Sequence, residues 1–331
     1  MLAAHTPRFG PASVLEVRDV ATPAVGPNEV CVEVHASPVT AGDLRLRAAD
    51  FPGISKLVGL LMFGFTAPRR PVQGTMYAGT VVAVGAQVTA FSLGDSVFGC
   101  ADDGAWAEQL VVAADGAIAH RPLGVDASTA AAVPYGAGTA LYFLRTLADV
   151  QRGERVLILG GSGGVGRFAI QVAKRLGAHV TAVGSAASLQ LMRRLGADVV
   201  IDYRTTEVAN LGQTWDVVFD IADCSSFAQA RALMTPSGRY LTLIVSLRVL
   251  LEMGWSHVVG GQRALFGVAL PEQDAMNELA SWLSEGALVA QIAQQLPLLD
   301  IANAHRAAER RVLGEVIVMP TAQPAAGRSP E

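Results

Sequence analysis

One stretch constrains this chain more than any other. The apolar run Arg155–Leu159 (RVLIL) leads into Gly160-Gly161-Ser162-Gly163-Gly164-Val165-Gly166, and an amphipathic segment, Phe168–Leu176, follows at once. A strand of continuous apolar residues needs cover on both faces, which points to a parallel sheet. The turn carries G-x-G-x-x-G at Gly161, Gly163 and Gly166. One glycine permits the tight bend, one lets backbone come close to an anion, and one lets strand and helix pack closely. Free N–H groups at the helix start then favour a pyrophosphate.

The context supports that motif. His179–Val183, Val199–Ile201, Asp216–Phe219 and Arg239–Ile244 read as further strands, with a helix at Leu189–Leu195. This alternation predicts βαβ units in a doubly wound parallel sheet. Upstream, Val14–Val17, Glu29–Val34 and Gly79–Val84 read as short strands bounded by Gly, Pro or Asn, and Val81–Gly85 followed by Phe91–Phe98 reads as a strand, a turn and a second strand. Helical spacing falls at Ser128–Val133, Gly138–Leu147 and Gln273–Leu283, and Gly314–Met319 reads as a closing strand. The last dozen residues are expected to fray. With 331 residues, two domains are expected. The layout assigns 1–122 to a β-rich domain, 123–265 to an inserted dinucleotide-binding domain, and 266–331 to the return.

The strand after the first βα unit runs into Val183-Gly184-Ser185. NAD sites place a carboxylate there for the ribose 2′-OH. Ser185 offers a hydroxyl instead, and Tyr203 and Arg204 follow the next strand on the same rim. Losing a carboxylate and adding a guanidinium suits a 2′-phosphate, so NADP(H) is the expected cofactor.

These residues resemble the medium-chain dehydrogenase/reductase superfamily, in its zinc-independent quinone oxidoreductase (zeta-crystallin-like) branch. The stretches carrying the likeness are GTMYAGTVVAVG (74–85), FSLGDSVFG (91–99), AAAVPYGAGTAL (130–141), the glycine-turn unit (155–183), LGADVVIDY (195–203) and WDVVFD (215–220). The resemblance implies a Rossmann domain inserted into a GroES-like β-barrel substrate domain, with the cofactor in the cleft and a homodimeric assembly. It implies that Gly161 to Gly166, with Gly184, cradle the pyrophosphate and that Thr139 lies near the nicotinamide. Ser185 and Tyr203 match the holders of a 2′-phosphate, although Gln190 stands where such enzymes often place Lys. Phe266 to Val268 would line the nicotinamide pocket.

Departures from the family pattern shape the chemistry expected. Zinc-dependent relatives place Cys and His in the segments matching Val39–Asp43 and Gly74–Gly79. Here those read Thr40-Ala41-Gly42-Asp43 and Thr75-Met76, and Cys31, Cys100 and Cys224 are scattered. That donor set does not make a zinc site. The quinone-reductase branch commonly has Asn-Tyr-x-Asp in the first segment and a carboxylate in the second. Thr40, Ala41 and Met76 replace them, so no family tyrosine is available for proton transfer. Thr40, Asp43 and Tyr135 are the polar candidates near the nicotinamide, with capping and turn roles as the structural alternative for Asp43.

Composition excludes other classes. Charged residues make up 16% against 51% hydrophobic, which excludes a disordered chain. A net charge of -4 without a basic run argues against a nucleic-acid binder. Leu57–Phe65 and Leu241–Val245 are too short to span a membrane. The first run and Leu247–Trp255 could wall a lipophilic cleft, or else form core or dimer contact. Arg69-Arg70 reads as a solvated edge or an attractor of anions. An odd cysteine count and no signal-peptide pattern in the first twenty residues suggest the reducing cytoplasm. The expected function is NADPH-dependent reduction of a small lipophilic quinone or α,β-unsaturated carbonyl. An NADPH-binding sensor or scaffold without turnover and an enoyl-thioester reductase are the alternatives.

Overall fold

A computed structural model describes residues 1–51, 55–269 and 272–321. The fraying expected at the C-terminus falls mostly beyond residue 321 and lies outside the described residues.

The β-rich first part comprises β1 (Leu2–His5), β2 (Glu16–Asp19), β3 (Glu29–Pro38), α1 (Ala41–Ala48), α2 (Ser55–Phe63), β4 (Met76–Val84), β5 (Ser96–Cys100), β6 (Gln109–Ala113) and β7 (Ile118–His120). The middle comprises α3 (Ala127–Leu141), β8 (Arg155–Leu159), α4 (Gly164–Arg175), β9 (His179–Gly184), α5 (Leu189–Arg194), β10 (Val199–Asp202), β11 (Trp215–Asp220), α6 (Phe227–Ala230), β12 (Met234–Thr242), α7 (Leu247–Val259) and β13 (Arg263–Phe266). The return comprises α8 (Gln273–Ser284), β14 (Ile292–Pro297), α9 (Ile301–Glu309) and β15 (Glu315–Met319).

The RVLIL run is an inner strand of a six-stranded, all-parallel sheet in the order β10-β9-β8-β11-β12-β13. Val156 and Ile158 enter a core shared with α3, α4 and α8, whereas Leu157 and Leu159 enter a second core with α6. Successive side chains thus bury on opposite faces, which is why the strand must be apolar throughout. The strand order is the Rossmann order, with its reversal at β8 and β11.

Strands β1 and β2 pair antiparallel with each other, and the remaining strands build the GroES-like part. Their order is β14-β15-β3-β4-β5-β7, with β6 also on β3. Val30, Val32 and Val34 of β3 pack on Tyr77, Val97 and Leu110 in a separate core. Strand β15 pairs antiparallel with β3 and parallel with β14, so the chain leaves this sheet, forms the parallel one and returns.

Several elements differ from expectation for local reasons. Val14 belongs to a short 3-10 turn, and the strand begins at Glu16. Phe91–Asp95 is the turn between β4 and β5, closed by Ser92 N–H donating to Asp95 (2.8 Å) and by Gly94 at φ +88°. The two helical pieces expected around Pro134 are one helix, α3, which continues as a π-helical turn over Tyr142–Leu147. Asp126 caps it, and eleven of its fifteen residues are buried, so packing outweighs the donor Pro134 removes.

Of the apolar stretches, Leu241–Val245 is the end of β12 and the loop after it, whereas Leu57–Phe65 and Leu247–Trp255 fall in and just after α2 and in α7, both with exposed apolar side chains among the described residues. In α2 and just after it, Leu61, Met62, Phe63 and Phe65 are exposed. In α7, Leu247, Leu250, Leu251, Trp255 and Val258 are exposed at helical spacing. Arg70 pairs with Asp103 (2.5 Å) at the surface, as a solvated edge does. Among the described residues no helix is long and apolar enough to cross a membrane. Cys31, Cys100 and Cys224 are unpaired.

Candidate cofactor cleft and active site

Each glycine of the turn has a distinct reason to be there. Gly160 sits at φ +90°, a left-handed conformation, and bends the chain out of β8. A Cβ on Gly161 would lie 2.9 Å from Met192 Sδ, and one on Gly166 only 2.1 Å from the Gly160 carbonyl oxygen. Backbone thus excludes a side chain at Gly166, whereas at Gly161 the Met192 side chain would have to give way. Gly163 differs, since a Cβ there would meet only Gly160 O at 3.5 Å. Its open side faces away from protein.

Helix α4 starts at Gly164, four residues earlier than the amphipathic pattern indicates, with Gly163 as N-cap and no side chain capping it. Thr40, Asp126, Ser226 and Ser246 cap α1, α3, α6 and α7. The first N–H groups of α4 are therefore left for an anion. Val165 is buried in the core beside α3, and Ser162 is held through its carbonyl by the Arg167 guanidinium (2.7 Å). These residues fit a dinucleotide pyrophosphate.

The far rim also assembles. Asp202 of β10 lies level with Gly184 of β9, and Tyr203 N–H donates to the Gly184 carbonyl (3.2 Å). Ser185 follows Gly184, half-buried, and the Arg204 guanidinium lies 5.7 Å from the Tyr203 ring centroid. A Cβ on Gly184 would lie 2.6 Å from Ser188 Oγ and 2.8 Å from Met192 Cε, so a side chain there would displace both. Ser185, Tyr203 and Arg204 therefore share one edge. Asp202 is an acid on that edge not foreseen from sequence, and it accepts from Arg204 N–H (3.0 Å), closing the turn.

Thr40, Asp43 and Tyr135 meet at the start of α1. Thr40 is its N-cap, and Asp43 completes a capping box. Asp43 Oδ2 accepts from Thr40 N–H (2.8 Å) and Thr40 Oγ1 (2.6 Å), while Thr75 Oγ1 approaches Oδ1 at 3.5 Å. Burial pushes the Asp43 carboxyl up to about 6, with the Thr40 and Thr75 bonds pulling the other way. Asp43 thus anchors Thr40 and is 2% exposed. Tyr135 lies against the same turn: a Cβ on Gly42 would sit 3.5 Å from Thr40 Oγ1 and 3.7 Å from the Tyr135 hydroxyl. Burial, then the Asp43 charge, pushes the Tyr135 phenol up.

This cluster and the glycine turn adjoin. Gly136, next to Tyr135 on α3, packs so closely on α4 that a Cβ would lie 2.8 Å from the Gly164 carbonyl oxygen. One turn further on, the Thr139 hydroxyl donates to the Tyr135 carbonyl (2.6 Å) and keeps its lone pairs to accept. Phe266 ends β13 half-buried, Gly267 packs on Tyr142, and Val268 is 64% exposed.

Sequence reasoning missed Arg167, Gln171 and Glu315. Arg167 is 3% exposed and pairs with Glu315 of β15, and Gln171 bonds both N–H (2.7 Å) and C=O (3.1 Å) of Val289. A charged residue at the fourth position of a helix beginning on a phosphate turn was the available signal.

Where zinc-dependent relatives would hold metal, the side chains are the Thr40 and Thr75 hydroxyls and the Met76 thioether. Met76 Sδ lies 3.0 Å from Cys100 Sγ. Among the described residues no three His, Cys, Asp or Glu side chains converge on one point. This donor set does not fit zinc.

A glycine turn at the switch point of a Rossmann sheet, adjoining a polar cluster on a GroES-like sheet, defines a two-domain oxidoreductase with a nicotinamide cofactor. The comparisons agree. Residues 26–123 match the alcohol dehydrogenase GroES-like domain, and residues 195–318 match a family described as zinc-binding dehydrogenase. A quinone oxidoreductase of Pseudomonas aeruginosa is 30% identical, covering 94% of this chain and 97% of that protein. The CurK enoyl reductase is 25% identical at a TM-score of 0.84, covering 96% and 98% of the two chains. The Escherichia coli quinone oxidoreductase, solved with NADPH, shares the fold at a TM-score of 0.81 and 23% identity, covering 97% and 100%. The chain belongs to the medium-chain dehydrogenase/reductase superfamily, in its quinone oxidoreductase branch.

Proposed function

We propose that the protein is a zinc-free, NADPH-dependent reductase of small lipophilic quinones or α,β-unsaturated carbonyls. One observation carries the reading. The uncapped start of α4 adjoins Tyr135 and Thr40 through Gly136, and the donors there are hydroxyls rather than metal ligands. Gly161 to Gly166 would hold the pyrophosphate, Ser185, Tyr203 and Arg204 the 2′-phosphate, and Thr139 and Phe266 the nicotinamide end. The cofactor supplies hydride.

The chain's own residues orient and shield. Asp43 holds Thr40 at the head of α1, and Thr40's hydroxyl proton is given to Asp43. Tyr135 is then the hydroxyl left to hydrogen-bond a carbonyl oxygen. With no metal to polarise an ordinary ketone, the site suits acceptors that are already electron-poor. The reading includes a homodimer in a reducing cytoplasm, to be read by sedimentation velocity and by cell fractionation.

The test is NADPH oxidation against a panel of quinones, enones and enoyl thioesters. Turnover with quinones or enones is expected, and tight NADPH binding without oxidation by any acceptor would leave a sensor or scaffold. The CurK likeness favours a second reading, enoyl-thioester reduction, which activity on thioesters alone would select.

The Ser185→Asp variant addresses cofactor choice. A carboxylate there repels a 2′-phosphate and bonds a 2′-OH, so NADPH affinity should fall about tenfold or more while NADH affinity holds or improves. Unchanged NADPH affinity in a fluorescence titration would move the phosphate site elsewhere.

A further inference from the structure

Arg167 stands where simple electrostatics would not put it. It occupies the first turn and a half of α4, at the positive end of the helix dipole, where a cation is disfavoured. It is also 3% exposed, and a buried guanidinium is costly unless paired. Its partner makes the placement stranger. Glu315 brings a carboxylate to the phosphate turn, 3.5 Å from where a Cβ of Gly164 would be. An unpaired carboxylate at that point would repel a pyrophosphate. A pair that is costly to bury and adverse in sign at each end needs another reason to be there.

The hydrogen bonds supply one. Arg167 donates from one terminal nitrogen to Glu315 and from the other to the carbonyl of Ser162, the middle residue between Gly161 and Gly163. Arg167 N–H also donates to the Gly163 carbonyl (3.0 Å). The guanidinium thus holds the Ser162 peptide, whose N–H (that of Gly163) closes the turn on the Gly160 carbonyl (3.1 Å), while the Gly163 carbonyl takes the first main-chain bond of α4 and leaves its own peptide N–H, that of Gly164, outward. Glu315 fixes the guanidinium in a planar fork that a lone Arg would not hold. The Arg167 carbonyl in turn accepts from Gln171 (3.1 Å), which clasps Val289. Both ties run from the phosphate turn to the returning C-terminal segment.

We infer that the Arg167–Glu315 pair is a positioning device that braces the closed shape of the pyrophosphate turn, and with it the free N–H groups at the start of α4, and ties that turn to strand β15. The inference rests on the nicotinamide-dinucleotide reading above. It makes Glu315 favourable to dinucleotide binding although its charge has the same sign as the ligand's.

That sign is the test. Glu315→Gln keeps the shape and removes the charge that orients Arg167. Affinity for NADPH is measured by fluorescence titration, and affinity for adenosine 2′-monophosphate, which lacks the pyrophosphate, by competition. Positioning predicts that Glu315→Gln weakens NADPH about tenfold, with Arg167→Met weaker still, and leaves adenosine 2′-monophosphate within about twofold. At saturating NADPH, kcat of Glu315→Gln should hold while KM for NADPH rises. Tighter or unchanged NADPH binding in Glu315→Gln would overturn the inference, because the carboxylate would then be a repulsive neighbour or a bystander. Equal weakening of both ligands would also overturn it, as general damage to the fold. If the unsubstituted protein binds no nicotinamide dinucleotide, the functional reading itself fails and the inference with it. If it prefers NADH, the comparison is made with NADH against adenosine, which likewise carries no 5′-phosphate.

Discussion

Replacing Gly166 by alanine is expected to remove dinucleotide binding and to lower stability together, whereas Gly163→Ala should remove binding alone. The difference follows from what each Cβ meets. At Gly166 the new methyl would lie 2.1 Å from the Gly160 carbonyl oxygen and 2.8 Å from Gly161 Cα. Both are backbone atoms in a turn already bent through a positive φ, so β8 and α4 must separate and the amide cradle opens. Overpacking of that kind typically costs about 1–3 kcal/mol of stability. Loss of the aligned amides should weaken NADPH about a hundredfold or more, since several charge-assisted bonds fail at once. Gly163 has internal room, with one contact at 3.5 Å, so thermal stability should be unchanged within about 0.5 kcal/mol. Its methyl projects toward the space assigned to the pyrophosphate. Urea titration and NADPH fluorescence on the two variants read the prediction. Equal NADPH affinity for Gly163→Ala and the unsubstituted protein would show that the dinucleotide does not lie over that residue.

What could be read from residue order, and what could not, divides along physical lines. The parallel sheet was legible because strands covered on both faces must be apolar throughout, as Val156–Leu159 and Val217–Phe219 are. Strand β14 was not: Ile292-Ala-Gln-Gln-Leu-Pro is polar, and it forms the exposed end of its sheet beside β15 alone. Thr40 and Asp43 were found as site candidates through family resemblance, yet their spacing is also that of a capping box, and the structure uses them so. That signal would have placed α1, which the strand and helix patterns passed over. Ser185 and Tyr203 could be joined because each follows a strand of the same sheet. Arg167 with Glu315, and Arg47 with His305, could not. They are separated by 148 and 258 residues, and no local pattern reports which distant partner a buried charge will meet.

That second long-range cluster carries the other large effect. Arg47 of α1, 3% exposed, donates to the Gly10 carbonyl (3.1 Å), to His305 Nδ1 (3.1 Å) and to Glu309 (2.5 Å), tying the N-terminal segment and α9 together. Arg47→Met should lower the unfolding free energy by about 3–5 kcal/mol, because it leaves the Gly10 carbonyl and His305 without their donor. Glu309→Gln should cost about 1–3 kcal/mol, since it leaves the buried Arg47 guanidinium without its carboxylate while the partly exposed amide keeps a hydrogen bond in its place. His305 accepts from Arg47, so it is neutral with its proton on Nε2, and its ring meets Trp106 edge-on at 4.6 Å. Burial first, then the Arg47 charge, pushes its folded-state value down to about 3, against 6.5 unfolded. The unfolded chain therefore takes up a proton that the folded chain refuses between pH 6.5 and 3, and stability falls as pH drops through that window. Asp43 acts in the opposite sense. Its folded value of about 6 lies above 3.8, so the folded chain holds the extra proton from pH 6 to 3.8 and gains stability as pH drops there. In the unsubstituted protein the two contributions cancel over that shared range, and the acid loss from His305 shows below about pH 3.8. His305→Gln keeps an acceptor for Arg47 and removes the titration. Relative to the unsubstituted protein, its stability should gain steadily as pH falls from 6.5, measured by urea midpoints at half-unit steps. A His305→Gln profile parallel to the parent's from pH 7 to 4 would mean that His305 is not held neutral by its burial against Trp106 and Arg47.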